Sequence, residues 1–85
     1  MAWKIATLNL SNNFFDGGLP RSLSNLSYLT SIDLHRNKFT GEIPPELGNL
    51  IQLEYLDVSK NMLCGQIPKK ICRLSNLLYL SFEEN

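Results

Sequence analysis

Asp33, His35 and Asp57 are the residues of this chain best placed to do chemistry together. The first two are separated by one residue, and the two aspartates lie 24 apart. An imidazole beside two carboxylates is ordinary material for acid–base catalysis or for a divalent-cation site. Catalysis also requires a nucleophile, a base and an orienting group around a pocket that excludes water. No such set is evident, so no catalytic residue, metal or cofactor is expected. Cys64 and Cys72 are eight positions apart. Two cysteines and one histidine are too few for a zinc finger. A disulfide needs Cα atoms within about 7 Å. Cys64 falls in an outward position before Gly65, which favours free thiols. Asn9-Leu10-Ser11 and Asn25-Leu26-Ser27 are glycosylation sequons. Lys69, Lys70 and Arg73 form a small basic cluster. A solvated surface is its default reading, and a contact with acidic lipid or partner the sharper one.

Composition narrows what can hold these residues in place. The 85 residues, 44% hydrophobic and 19% charged, suit one small folded unit. Eight basic and eight acidic residues give no net charge. That argues against a general electrostatic grip on nucleic acid or anionic membrane. No apolar run approaches the ~20 residues of a membrane span, so no direct membrane insertion is expected. Met1-Ala2-Trp3-Lys4 is not followed by the apolar stretch of a secretory signal.

The dominant signal is a repeat. Pro20, Pro44 and Pro68 recur 24 apart, as do Gly17, Gly41 and Gly65, and Asn13, Asn37, Asn61 and Asn85. Apolar columns keep the same step: Leu8, Ile32, Leu56, Leu80; Leu10, Leu34, Val58, Phe82; Phe15, Phe39, Leu63. No gap is needed, and self-similarity at a fixed period means stacked units.

Each column has a physical task. Around Ile32 and Leu34 the pattern alternates, so these side chains point inward while Ser31, Asp33 and His35 point out. Each unit lays a short strand beside the last in a parallel sheet, and the rest of the unit is the crossover that parallel pairing requires. The asparagine column falls where the chain leaves the strand and its backbone groups lose ladder partners. Asn carries both a donor and an acceptor, so Asn13, Asn37, Asn61 and Asn85 are read as a structural ladder. Gly17, Gly41 and Gly65 fit a tight bend with φ > 0. The prolines lead into short 3₁₀ stretches such as Pro45-Glu46-Leu47-Gly48 rather than regular helices. Phe15 and Phe39 are expected to stack beneath the bend.

Written along one unit, the pattern is L-x-x-L-x-L-x-x-N-x-F-x-G-x-I-P-x-x-L-x-x-L-x-x. It closely resembles the plant-type extracellular leucine-rich repeat, whose distinguishing element is G-x-[IL]-P. The stretch from Phe39-Thr40-Gly41-Glu42-Ile43-Pro44 to Ile71-Cys72 looks like the membrane-proximal repeats of anther receptor kinases of the excess-microsporocytes type. The resemblance implies an α/β-type leucine-rich repeat fold, a right-handed solenoid of β-strands and 3₁₀ turns. It would place the parallel sheet on the concave face and hold three and a half repeats of period 24. Residues 1–85 are expected to form a single solenoid fragment with units 5–28, 29–52, 53–76 and a partial unit 77–85.

The same resemblance implies a non-enzymatic recognition module, an excerpt of a receptor kinase ectodomain at the outer face of the plasma membrane. Its concave face would bind a secreted peptide or small-protein ligand, and a neighbouring edge would meet a co-receptor. The concave positions are Ser31, Asp33, His35, Tyr55, Asp57, Ser59, Tyr79, Ser81 and Glu83. Tyr55 and Tyr79 stand one unit apart, either as a protein-contact pair or as ordinary cross-strand stabilisers. A glycan on Asn9 would obstruct this face, whereas one on Asn25 would lie away from it. The cysteine-paired caps of the family are not found, and the kinase and membrane span are expected to lie outside this chain. Trp3 either covers part of the open first end or stands exposed. Ala2 occupies the last leucine column. Open ends predict a marginal monomer or one that associates end to end. Two rival readings share the repeat: a secreted polygalacturonase inhibitor, and a scaffold or ice-binding solenoid. The latter would need a flat, regular array of Thr or Asn.

Overall fold

The computed structural model describes residues 4–85. The expectations for Ala2 and Trp3 lie outside the described residues. The chain winds as a coil in which successive turns add strands to two parallel sheets. The larger sheet has four strands in the order β1 (Thr7–Asn9), β3 (Ser31–Asp33), β5 (Tyr55–Asp57) and β7 (Tyr79–Ser81). Its register advances by one full repeat per strand, so Ser31 lies beside Tyr55 and Asp33 beside Asp57. Strands added in one direction, each returned by the rest of its unit, make the coil that the repeat pattern implies.

The second sheet was not legible as strands in the sequence. It comprises β2 (Asp16–Gly18), β4 (Lys38–Gly41) and β6 (Met62–Leu63). Here the register advances by two positions less than a full repeat, pairing Gly17 with Phe39 and Thr40 with Met62. Gly17, Gly41 and Gly65 have φ of 78°, 78° and 79°, values that L-residues with a Cβ rarely adopt.

The prolines then turn the chain. Pro20 and Pro44, with φ of −75° and −64°, precede 3₁₀ turns at Arg21–Asn25 and Pro45–Asn49. In the third unit the turn is instead one turn of α-helix, α1 (Lys69–Cys72). The Cys72 and Arg73 N–H groups there reach Pro68 O and Lys69 O. Arg73 stands where the other units carry Asn25 and Asn49, which are poorer helix formers.

The inward columns make one core. Leu29, Ile32, Leu47, Leu50, Leu53 and Leu56 are fully buried. Each such side chain contributes about 1.5–3 kcal/mol. Packing thins toward both ends: Leu8, Leu10, Leu80 and Phe82 are only partly buried against that core. Phe15 is 45% exposed and stacks on the buried Phe39, with ring centroids 6.4 Å apart and planes 13° from parallel.

Asparagine side chains close the bend beside the larger sheet. Asn37 Nδ2 donates to Leu10 O (2.8 Å) and Leu34 O (3.1 Å), while its Oδ1 accepts the Phe15 N–H (3.2 Å). Asn61 repeats this with Leu34 O, Val58 O, Ser59 O and the Phe39 N–H. Asn85 reaches Val58 O and Phe82 O and accepts the Leu63 N–H. Asn13 is exposed and, among the described residues, donates to Leu10 O and Ser11 O within its own unit. Immediately before each of these asparagines the backbone is left-handed: Asn12, Arg36, Lys60 and Glu84 have φ of 58°, 57°, 56° and 58°.

Candidate functional site

The strand register arranges the outward side chains in rows and columns on the open face of the β1–β3–β5–β7 sheet. One column runs Thr7, Ser31, Tyr55, Tyr79, and the next runs Asn9, Asp33, Asp57, Ser81. Ser11, His35, Ser59 and Glu83 follow two positions beyond. All nine residues singled out from the sequence therefore share this face. They differ in access: Ser59 and Asp57 are buried, Tyr79 and Glu83 exposed, and the rest half-buried.

Tyr55 and Tyr79 stack almost face to face, with ring centroids 4.6 Å apart and planes 8° from parallel. The Tyr55 phenol lies 3.5 Å from Asp57 Oδ2. Burial, followed by the charges of Asp33 and Asp57 and the neighbouring Tyr79, raises its pKa above the ordinary tyrosine value.

The aspartate column has a structural duty that sequence reasoning missed. Asp57 Oδ1 accepts the Ser59 N–H (3.0 Å) and Ser59 Oγ–H (2.6 Å). Asp33 Oδ1 accepts the His35 N–H (3.2 Å) and also meets His35 Nδ1. Asn9 Oδ1 does the same for Ser11. Each side chain caps the backbone two positions ahead, in the manner of an Asx turn. The signal for this was present in the repeated Asn or Asp two positions before a polar residue.

His35 Nδ1 also lies 3.9 Å from Asp57 Oδ2. Ligating atoms of Asp33, His35 and Asp57 fall within 4.8 Å of one another, so among the described residues these three could hold a cation. Donation from the His35 Nδ1–H to Asp33 Oδ1 already accounts for their contact. Chemically, the set offers carboxylate and imidazole acceptors on an open surface next to an aromatic stack.

The remaining sequence-derived sites lie elsewhere. Cys64 and Cys72 are free and exposed. Lys69, Lys70 and Arg73 are exposed on and just after α1. Asn9 is exposed on β1, and Asn25 is exposed at the end of the first 3₁₀ turn. No helix among the described residues is long and apolar enough to cross a membrane.

Stacked similar units that each add a strand to the same parallel sheets define a solenoid protein. The chain belongs to the leucine-rich repeat family: the family model described as Leucine Rich Repeat matches residues 4–26, 28–50 and 52–74. Solved structures extend the likeness. The BIR3–SERK2 complex of Arabidopsis thaliana matches with a TM-score of 0.89 and 37% identity, over 92% of this chain and 42% of that one. The ectodomain of the Arabidopsis receptor kinase HAESA, in complex with an IDA peptide hormone ligand, matches with a TM-score of 0.82 and 39% identity. That match covers 86% of this chain and 12% of the receptor. A plant ice-binding protein matches with a TM-score of 0.91 and 32% identity, over 95% of this chain and 26% of its own. This chain thus spans less than half the length of these structures. No curated protein matched the sequence.

Proposed function

We propose that the chain is a non-enzymatic protein-recognition module whose outward sheet face binds an extended peptide or small protein. The stacked pair Tyr55 and Tyr79 carries this reading. Two large, amphipathic rings stand over the sheet, and Tyr79 is 45% exposed. Rigid aromatic anchors of this kind supply much of the energy of protein interfaces. Half-buried Ser31, Asp33 and His35 offer hydrogen bonds beside them. The likeness to peptide-hormone receptor ectodomains supports the same role.

In the fuller form of this reading the chain is an excerpt of a plant receptor kinase ectodomain at the cell surface. It resembles the membrane-proximal repeats of the excess-microsporocytes receptor kinase. Its ligand is secreted, a co-receptor meets a neighbouring edge, and the kinase acts across the membrane. Glycans on Asn25 leave the face open, and units can associate end to end through their edge strands. A polygalacturonase-inhibitor role would use the same face against an enzyme surface, and inhibition of a fungal polygalacturonase would favour it.

Panning random extended peptides on the chain tests the central reading. The selected peptides should lose at least about tenfold in affinity to a Tyr55→Ser/Tyr79→Ser variant, the range of an interface hot spot. They should bind a Lys69→Glu/Arg73→Glu variant normally. The opposite pattern would refute the assignment.

The match to an ice-binding protein favours a second reading on fold alone. The outward columns do not repeat Thr or Asn: they run Thr7-Ser31-Tyr55-Tyr79 and Asn9-Asp33-Asp57-Ser81. Inhibition of ice recrystallisation by the chain would nevertheless establish it.

A further inference from the structure

Asp33 and Asp57 stand directly opposite each other on neighbouring strands. Like charges in that relation destabilise a sheet. Both are largely removed from water, with side chains 16% and 10% exposed, so each needs donors or a positive charge. Asp57 receives donors at both oxygens, from Ser59 and from the Tyr55 phenol. Asp33 receives them at Oδ1 alone. Among the described residues no protein group donates to its Oδ2, which is open to solvent, and no lysine or arginine pairs with either aspartate. Lys60 turns to Glu84 instead, at 3.7 Å.

An aromatic surface lies diagonal to Asp33 on the next strand. Tyr55 gives one ring face to Tyr79 of the following unit. Its other face turns toward the preceding unit, where its register neighbour is Ser31. A serine side chain is too short to cover a phenol ring. By register, Tyr55 would wall, Ser31 would floor and Asp33 would edge a slot on the open face.

We infer that this slot takes the guanidinium of an arginine presented by an extended peptide or protein partner. The inference rests on the reading that this face binds such a partner. A guanidinium is flat, stacks on aromatic faces and donates in a fork to a carboxylate. An ammonium has no flat face to offer the ring. A divalent cation at His35 Nδ1 would have to displace the proton that meets Asp33, and it would leave the ring unused. Register makes Asp33 and Tyr55 diagonal neighbours on one face of adjacent strands, within the span that an aromatic side chain reaches. Charge complementarity of this kind fixes register more than it adds raw affinity.

The test is a titration of the isotope-labelled chain with a short Gly/Ser/Ala peptide carrying one central arginine, followed by NMR. The same peptide with citrulline keeps the shape and removes the charge. Saturable shifts are expected at the amides of Ser31, Asp33 and Tyr55, with the citrulline peptide about fivefold weaker, the value of one exposed cation–π contact. Asp33→Asn should narrow the difference between the two peptides, leaving only the contact of the guanidinium with the ring. Ser31→Leu should fill the slot and abolish the response with Asp33 still present. Spectral dispersion of each variant verifies its fold. Equal response of the native chain to both peptides would overturn the inference. So would shifts that ignore Asp33→Asn, or a response to zinc chloride in place of the arginine peptide. Panned peptides that bind this face without arginine would end the inference and leave recognition by the face standing. Peptides that bind only the side carrying Lys69 and Arg73 would end both.

Discussion

Asn61 and Asn13 occupy the same column of the repeat, yet their surroundings differ. Asn61 is buried and bonds to three carbonyls and one N–H, whereas Asn13 is exposed and bonds within its own unit. Asn61→Ala leaves several buried groups unanswered and should cost about 3 kcal/mol in urea unfolding, against less than about 1 kcal/mol for Asn13→Ala. Equal losses would mean that the column does not act through burial. Tyr55 contributes to the pH dependence of stability on the alkaline side. Its raised pKa means the folded chain keeps the phenolic proton at a pH where the unfolded chain has released it. That stabilisation is complete below the ordinary tyrosine value of 10.0 and is lost as pH rises through the folded value. Thermal melts from about pH 9 to about pH 11 should show a shallower alkaline decline for Tyr55→Phe than for the native chain. At this scale the sequence was readable where a residue type has one special ability, as with asparagine at a bend. The capping by Asp33 and Asp57 was harder to see, because an outward aspartate looks alike whether it serves a ligand or its own backbone.

The strands of the larger sheet were legible because they alternate inward leucines with polar residues. The second sheet was not. Its strands are short and carry glycine, lysine, threonine and methionine in no alternating pattern. The left-handed column before each ladder asparagine was hidden for a related reason. Asn12 suits that conformation, but Arg36, Lys60 and Glu84 do not, and the stacked units impose it on them. Arg36→Asn should therefore stabilise the chain by about 0.5–1 kcal/mol in chemical denaturation, since asparagine tolerates the left-handed region. A loss of stability would show that Arg36 makes contacts outweighing its strain. Gly48 illustrates a constraint between elements. A Cβ there would stand 2.5 Å from Lys70 Cγ and 2.9 Å from the Lys70 carbonyl carbon. Only a bare backbone lets α1 lie so close to the turn of the unit before it.

The whole molecule is a row of units that touch only their neighbours, so stability should follow local packing. The full burial of Leu29, Ile32, Leu53 and Leu56 contrasts with the half-buried Leu8 and Leu80. Beside the first unit an apolar cleft opens among Leu8, Leu10, Phe15, Leu19, Leu23 and Phe39. Hydrogen exchange should accordingly be slowest at the amides of Ile32, Leu34 and Val58 and faster in β1 and β7. Uniform protection would instead indicate a single cooperative block.

Recognition by the sheet face requires that each unit lie directly over the last, so that Ser31, Tyr55 and Tyr79 form one line. Nuclear Overhauser spectroscopy reads that proximity without a ligand. The account predicts strong contacts between the rings of Tyr55 and Tyr79, and between Asp33 and Asp57 across the strands. Rings with no mutual contact, in a chain that is otherwise folded, would contradict it.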